Sequence, residues 1–306
     1  MEPADNEISF VEDVSEAAQY SGVVELFTIP TSRSGVDWAQ VVTSHRCSYR
    51  NGNCSKVAKT RKNEPKVYIG SCSVGHYVSD SKAVIVCPVR FLERRKIFVD
   101  CLHLLTRHEP GNEYHVVPEI AIPGGNVDFF LASLKDGKVV DFVGIELQSL
   151  DTTGSVFPVR QKFLASQGVN VGEISTGGYG MNWKMSAKTI LVQLHHKVQT
   201  FEHVNRNFVL VLQDHFLDEM KKSFTFDHIS DNPSVGDTMH FHSYSLRPTS
   251  GEFRLHLKER FSTDSQGIER CLGVQASPKI EVQVIAGAIE KKIAHIAKKG
   301  DSTLFT

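Results

Sequence analysis

The sequence predicts an α/β or α+β fold in which helices pack on a small mixed β-sheet. Two apolar strand candidates, 126–132 and 139–150, flank Lys135-Asp136-Gly137-Lys138, and Asp-Gly between apolar runs is a strong hairpin signal. Residues 184–199 place their apolar side chains on one helical face. Residues 207–212 are a continuous apolar run, which is typical of a buried strand. The order of hairpin, helix and buried strand indicates a sheet covered by helices.

Further segments flank this core. Pro88 suits the first position of a helix, and apolar residues recur at roughly helical spacing over 89–107, so we predict a helix there. Residues 223–280 are rich in His, Ser and Phe and fit no single element. In chain order, the predicted segments are an acidic lead-in (1–40), a Cys-rich segment (41–87), a core (88–222) and a C-terminal region (223–306).

The composition is that of an ordinary folded protein. Of the 306 residues, 41% are hydrophobic and 23% are charged, which excludes a disordered, collagen-like or coiled-coil chain. The net charge is −1, but residues 1–20 contain six acids and no Lys or Arg, whereas residues 46–66 contain seven bases and one acid. A local basic patch attracts polyanions whatever the total charge. The near-zero net charge therefore does not exclude a nucleic-acid partner.

The sequence does not predict a membrane or secreted protein. No apolar run reaches the about 18 residues of a transmembrane helix, and the acidic N-terminus is unlike a signal or transit peptide. We therefore expect a cytoplasmic protein without a membrane partner. In a reducing compartment, its six cysteines are more typical of metal ligands or buried thiols than of disulfides.

Four cysteines lie in the polar segment 41–87, which has too few apolar residues to bury a core of its own. Four thiolates suit tetrahedral Zn²⁺ or iron, although these lack close C-x₂-C pairs, and some could be small buried hydrophobes instead. Cys101 and Cys271 lie elsewhere and are interpreted as structural, while His45 and His76 could replace a missing ligand. The four predicted ligands are Cys47, Cys54, Cys72 and Cys87.

Polar side chains on the predicted hairpin are the main catalytic candidates. Glu146 and Gln148 are two residues apart, so they share one face of the second strand. With a two-residue Asp136-Gly137 turn, paired residue numbers add up to 273, which places Asp128 opposite Ile145 rather than Glu146. A one-residue bulge would bring Asp128 and Glu146 together.

Two carboxylates on adjacent strands can share Mg²⁺, which neutralises a phosphate and polarises an attacking water. The Leu147 carbonyl, between the two side chains, is a natural third oxygen ligand. Glu146 lies in an otherwise apolar strand, where an unpaired charge is costly, so it needs a partner or a metal. Alternatively, Asp128 and Glu146 are solvated or paired surface residues. Glu119 is a further candidate carboxylate, or else a surface acid.

Three segments resemble the PD-(D/E)xK nuclease core, in particular the NotI-type restriction endonucleases, in which glutamine replaces the usual motif lysine. They are Gly125–Phe130 (GNVDFF), Gly144–Gly154 (GIELQSLDTTG) and Asn182–Lys188 (NWKMSAK), and the similarity spans roughly residues 40–220. The resemblance implies a sequence-specific, Mg²⁺-dependent type II restriction endonuclease that hydrolyses double-stranded DNA. It also implies one or two Mg²⁺ ions held by Asp128 and Glu146, with Gln148 nearby, and a Cys₄ site that holds iron.

The sequence departs from the general motif at two points. Four residues separate Pro123 from Asp128, and Gln148 stands where most members have lysine. A neutral amide can hydrogen-bond a water but cannot act as a base near neutral pH. Lys162 is one candidate for the missing lysine. Lys184 and Lys188, which open the helix after the hairpin, either contact DNA phosphates or form a solvated helix face.

Cleavage of both strands of a palindrome calls for two active sites related by a two-fold axis, so we expect a homodimer. The C-terminal region 223–306 is a candidate for DNA recognition and dimer contacts. Two other functions fit the sequence less well: a non-cleaving DNA-binding module with a structural metal, and a structure-specific nuclease of repair or RNA processing.

Overall fold

The computed structural model describes residues 22–58, 66–75, 83–229 and 232–273. Its strands are β1 (Val23–Leu26), β2 (Ile29–Pro30), β3 (Arg46–Cys47), β4 (Gly52–Asn53), β5 (Ser71–Gly75), β6 (Ala83–Ile85), β7 (Glu113–Ile122), β8 (Gly125–Lys135), β9 (Lys138–Gln148), β10 (Thr152–Gly154), β11 (Tyr179–Met181), β12 (Asn207–Gln213), β13 (Met239–Thr249) and β14 (Glu252–Thr263). Its α-helices are α1 (Trp38–Ser44), α2 (Lys96–Cys101), α3 (Phe157–Ser166), α4 (Trp183–His203), α5 (Asp214–Ser223) and α6 (Ser265–Leu272), with 3₁₀ helices at Pro88–Arg95 and Leu102–Leu104.

A six-stranded mixed sheet, in the order β14-β13-β12-β9-β8-β7, forms the centre of the fold. Strand β12 runs parallel to both β9 and β13, and the other pairs are antiparallel. Every residue of β12 is buried, since alternate side chains enter the cores on opposite faces of the sheet. Helices α4, α5 and α6 cover one face, and α2 covers the other. The predicted mixed sheet flanked by helices is confirmed.

A smaller sheet, in the order β2-β1-β5-β6, contains parts of the Cys-rich segment. Residues 1–40 are predicted to be a lead-in, but β1 within them is a buried strand of this sheet, and residues 1–21 lie outside the described residues. The side chain of Gln213 joins the two sheets. It accepts a hydrogen bond from the Ile85 N–H (2.8 Å) and donates one to the Ala83 carbonyl (2.7 Å). The small sheet is therefore fixed to the end of β12.

A buried ionic network also links the small sheet to the core. The Arg90 guanidinium contacts Glu25 of β1 and Glu93, each at 2.8 Å, and Glu93 contacts Arg254 of β14 at 2.8 Å. Arg90, Glu25 and Glu93 are almost fully buried. Removing one partner of such a network leaves an uncompensated buried charge, so the network holds the two parts together.

The main sequence predictions of secondary structure hold, with local differences. The hairpin, the long helix and the buried strand are present as β8–β9, α4 and β12. The helix predicted over 89–107 is interrupted, because Glu93 and Arg94 have non-helical backbone angles. Strand β7 lies in a segment for which the sequence predicts no element, and a long β13–β14 hairpin occupies much of the unassigned 223–280. In the described residues, no helix is long and apolar enough to cross a membrane.

Candidate active site

A shift in strand register brings the two hairpin carboxylates together. Next to the turn, Lys135 pairs with Lys138 and Leu134 with Val139, as in a simple two-residue hairpin. The register shifts between Leu134 and Ser133. From Ser133 onward, the numbers of the paired residues add up to 274 instead of 273, as for Phe129 with Ile145. The extra residue on β9 is Val140. This is the one-residue bulge that convergence requires, and it places Asp128 level with Glu146.

A third carboxylate continues this row on the neighbouring strand. Pro118 pairs with Phe129 and Ile120 with Val127, so Glu119 of β7 lies level with Asp128. Glu119 is exposed and has a left-handed backbone, with φ of 51°. Such a backbone is unusual for a non-glycine strand residue and is often found at functional sites. We call Glu119, Asp128 and Glu146 the carboxylate row.

Asp128 is half-buried and is held by the neighbouring strand. Its Oδ2 accepts a hydrogen bond from the Leu147 N–H at 2.8 Å. Burial raises the pKa of Asp128, and the charge of Glu119 adds to this, while the Leu147 hydrogen bond and Lys197 act in the opposite direction. Leu147 thus contributes to the site through its N–H, and a role for its carbonyl stays a prediction.

Glu146 is only 8% exposed, and its two oxygens differ in environment. Oε1 accepts a hydrogen bond from Lys197 Nζ at 2.6 Å. Oε2 is buried and lacks a hydrogen-bond partner among the described residues. Burial and the nearby Asp128 charge raise the pKa of Glu146, and Lys197 lowers it. A buried, unsatisfied carboxylate oxygen beside a second carboxylate fits a hard divalent cation.

The described residues contain no group of three or more His, Cys, Asp and Glu side chains arranged as a formed metal site. In the carboxylate row, Glu146 is buried, Asp128 is half-buried and Glu119 is exposed, and Lys197 occupies one Glu146 oxygen. The row therefore offers two carboxylates and an ammonium rather than three converging carboxylates.

Lys197 is the main site residue that the sequence analysis did not single out. It is 5% exposed and lies on α4, at the apolar face that carries Leu194, Val198 and Phe201. A lysine at an inward position of an amphipathic helix is a signal that helical spacing alone could have revealed.

The turn between β7 and β8 holds this helix close to the carboxylate row. A Cβ on Gly124, which has φ of 98°, would lie 2.9 Å from the His196 carbonyl oxygen. Thr200 Oγ1 donates a hydrogen bond to the Pro123 carbonyl at 2.7 Å. Because Gly124 has no side chain, the backbone of α4 approaches the turn closely enough to aim Lys197 at Glu146.

The four predicted cysteine ligands lie around one small cavity, although they are far apart in sequence, but no three of them are arranged as a formed metal site. They line one cavity of about 10 Å³ with Phe27, Gly70 and Val89. Burial raises the pKa of both Cys72 and Cys87, and the other cysteines contribute to this. The cavity is lined by Cys47, Cys54, Cys72 and Cys87.

The remaining cysteine and histidine candidates lie elsewhere. Cys101 and Cys271 are buried in the two cores of the large sheet, as structural residues would be. The His45 ring stacks on Tyr68 at 4.0 Å and its Nδ1 lies 3.0 Å from the Thr43 carbonyl oxygen. His76 lies outside the described residues.

A comparison with known protein families shows to which family the chain belongs. The family model described as restriction endonuclease NotI matches residues 39–243, more than half of the chain. The chain belongs to the NotI restriction endonuclease family. It is therefore a type II restriction endonuclease, a site-specific deoxyribonuclease that acts on double-stranded DNA. Among curated proteins, no relative matches the chain.

The part that matches the NotI family includes the carboxylate row, Lys197 and the four cysteines that line the cavity. It also includes Gln148, which is half-buried and donates a hydrogen bond through Nε2 to the Ser149 carbonyl at 2.6 Å. Lys162 is exposed on α3, which packs on β1 and the small-sheet core rather than on the hairpin. Lys184 and Lys188 are exposed, about 20 and 14 Å from Lys197 along α4.

The same NotI-family range contains a basic groove of about 810 Å³ on the α2 side of the large sheet. Arg50, Arg94 and Arg95 line it together with Phe98 and Tyr114. Arg94 and Arg95 both have a left-handed backbone, with φ of 49° and 54°. These three arginines are exposed, and their guanidinium groups are available to an anionic partner.

Proposed function

We propose that this NotI-family chain is a Mg²⁺-dependent nuclease with a PD-(D/E)xK core. The observation that supports this most is the position of Asp128 beside Glu146, of which one oxygen is buried and unsatisfied among the described residues. When bound there, a divalent cation would neutralise the phosphate and lower the pKa of the attacking water. Asp128 and Glu146 would hold it, as one ion or as the first of two.

The other residues of the site then have supporting roles. The Leu147 N–H fixes the orientation of Asp128, and the Leu147 carbonyl is a further candidate oxygen ligand. Gln148 shares a strand face with Glu146, so its amide can orient a water without accepting its proton. Glu119 is exposed at the end of the row and can extend the cation site toward the DNA.

Digestion of long duplex DNA tests this function. Purified protein with Mg²⁺ should give a discrete, reproducible set of fragments, and chelator should abolish cleavage. Sequencing the fragment ends should then reveal one recognition sequence, which we expect to be palindromic.

Other outcomes would contradict the proposal. Binding of DNA without cleavage in Mg²⁺ would indicate a non-cleaving DNA-binding module. Cleavage only at branched or unpaired structures, or of RNA, would indicate a repair or RNA-processing nuclease.

We also propose that the cysteine cavity holds one structural iron or zinc ion. Four thiols that line one cavity would form a soft donor set that suits either metal. The polar segment around them has few apolar residues, so a metal would supply much of its stability. This site is distinct from the hard oxygen site of the carboxylate row.

DNA contacts are proposed for two surfaces. Arg50, Arg94 and Arg95 offer cations in the basic groove, and Lys184 and Lys188 offer cations at the start of α4. Lys162 is exposed and could take part only away from the carboxylate row. Because both strands of a palindrome must be cut, we expect a homodimer.

A further inference from the structure

The carboxylate row lacks an obvious partner for the phosphate group that it must receive. Glu119, Asp128 and Glu146 are all acidic, and a phosphate between them meets repulsion from each. Gln148 carries no charge and its amide is engaged with the Ser149 carbonyl. Among the described residues, Lys197 is the cationic side chain that contacts the row.

We propose that Lys197 supplies the ammonium that contacts the reacting DNA phosphate, a role that Gln148 cannot fill. This inference rests on the proposed nuclease function and assigns a further catalytic residue to it. The ammonium reaches the site from helix α4 instead of from strand β9.

The two oxygens of Glu146 make this arrangement compatible with a bound cation. Lys197 uses Oε1, whereas Oε2 is buried without a described partner. A divalent cation and the ammonium can therefore share one carboxylate through different oxygens. The ammonium would then remain beside the cation, where phosphate oxygens bind.

The surrounding structure restricts Lys197 to this position. Its stem is buried at the inner face of α4, and its Cε lies 3.5 Å from the position that a Cβ on Gly125 would take. The close contact of Gly124 with His196 fixes the height of the helix above the sheet. A long, flexible side chain is thus held in one geometry before substrate binds, which is what a catalytic group requires.

The test compares Lys197→Met, which keeps the length but removes the charge, with Lys197→Arg, which keeps the charge. Lys138→Met, an exposed lysine at the far end of β9, is the matched control. Three quantities are measured for each: single-turnover cleavage of a cognate duplex in Mg²⁺, Ca²⁺ affinity of the DNA-free protein, and thermal midpoint.

We expect Lys197→Met to lose cleavage at least 100-fold while its Ca²⁺ affinity stays within threefold of wild type or becomes tighter. Affinity can tighten because a competing positive charge has left Glu146. Lys197→Arg should cleave at least tenfold faster than Lys197→Met, and Lys138→Met should match wild type. If Lys197→Met is insoluble, Lys197→Gln, whose amide can still donate to Glu146, takes its place with the same expectation.

Two results would overturn the inference while leaving the nuclease function intact. One is cleavage by Lys197→Met within threefold of wild type. The other is a parallel loss of cleavage, Ca²⁺ binding and thermal stability in the Met, Gln and Arg variants, which shows a structural ion pair. Wild-type protein that binds Ca²⁺ but cleaves no DNA would instead overturn the nuclease function, and this inference with it.

Discussion

At the scale of single residues, Glu146 and Gln148 lie close together on one strand but differ in burial and in hydrogen-bond partners. Glu146 is buried, contacts an ammonium and retains an unsatisfied oxygen. Gln148, two residues later on the same face, is half-buried and engaged with a neighbouring carbonyl. These environments suit a metal ligand and a water-orienting group, respectively.

We predict that Asp128→Ala and Glu146→Ala each reduce single-turnover cleavage by roughly 10³-fold or more, because each removes a charged ligand of the cation. Gln148→Ala should reduce it less, since the amide carries no charge. DNA binding in Ca²⁺ should survive in all three variants, because affinity comes mainly from phosphate and base contacts elsewhere. Wild-type cleavage by either carboxylate variant would refute the site, and loss of binding together with cleavage would indicate a folding role.

The two buried histidines of β13, His240 and His242, should make the free energy of unfolding depend on pH. Burial lowers the pKa of His240 to about 4 and that of His242 to about 3, with Arg260 and His103 adding to this. The ordinary value of about 6.5 applies in the unfolded chain, so the unfolded state binds more protons at acidic pH. The unfolding free energy should therefore fall between pH 6.5 and pH 4, by up to about 1.4 kcal/mol per pH unit for each histidine.

Urea unfolding at several pH values measures this slope. His242→Asn serves as the comparison, because it removes one titrating group from the same buried position. The variant should show a shallower slope than wild type in this pH range. Equal slopes would mean that carboxylates, and not His242, cause the acid sensitivity.

At the scale of elements, the packing of α4 on the β7–β8 turn decides where Lys197 lies. Gly124 permits this contact, since a Cβ there would clash with the His196 carbonyl. Gly111 has a similar φ of 95°, but a Cβ there would meet no atom of the described residues within 4 Å. Alanine at either position strains the backbone, but only alanine at Gly124 would also displace the helix. Comparing the stabilities of the two alanine variants therefore distinguishes the two effects.

We predict that Gly124→Ala lowers the unfolding free energy by about 1–3 kcal/mol more than Gly111→Ala. It should also slow cleavage about tenfold or more, because Lys197 moves with the helix. Chemical denaturation and single-turnover cleavage measure the two effects. Similar results for both alanine variants would show that the close contact is unimportant.

The basic groove gives a second prediction at this scale. Arg94→Ala combined with Arg95→Ala should weaken DNA binding and reduce its dependence on salt, because fewer phosphate contacts release fewer counterions. Arg33→Ala, an exposed arginine outside the groove, is the control. Binding titrations at several salt concentrations measure both quantities. An unchanged salt dependence in the double variant would exclude the groove from the DNA interface.

The elements also show what sequence could and could not predict. The β8–β9 hairpin, α4 and β12 each carry a strong periodic or turn signal and are found as predicted. Strand β7 is exposed along nearly its whole length and contains Pro118, so it has no alternating pattern to reveal it. In β13, buried His240 and His242 replace the apolar residues by which an interior strand is normally recognised.

The candidate site was predictable to a similar degree. Asp128 and Glu146 could be paired from the sequence only by assuming a bulge, because local pattern does not specify register shifts. Lys197 lies 51 residues after Glu146 in the chain, and its approach to Glu146 depends on tertiary packing. The carboxylates of the hairpin could therefore be identified from the sequence. Helical spacing could have shown that Lys197 faces inward, but not that it contacts Glu146.

At the scale of the whole molecule, the cysteine segment and the nuclease core form a continuous structure. The Arg90 network and the Gln213 hydrogen bonds connect them through buried groups. A disturbance at the cysteine cavity should therefore also destabilise the core, and a metal there would stabilise both.

We predict about one iron or zinc ion per chain, and a loss of metal and of several kcal/mol of stability in Cys54→Ser. Cys271→Ser, a buried cysteine outside the cavity, should retain the metal. Elemental analysis and thermal unfolding measure these effects. Protein with neither metal would contradict the cavity as a metal site, as would a Cys54→Ser variant with unchanged metal content.

The bulge at Val140 has a consequence for how the hairpin can change in evolution or by engineering. Successive side chains of a strand alternate between two faces, so the two strands of the hairpin keep a fixed phase. If the removal or addition of one residue between Ser133 and Asp141 shifts β9 by one position against β8, Glu146 turns away from Lys197, even though most of this turn is exposed. Changes of two residues would restore the phase. Hairpin variants that differ from the natural length by an even number of residues should therefore retain activity, whereas variants that differ by an odd number should lose it.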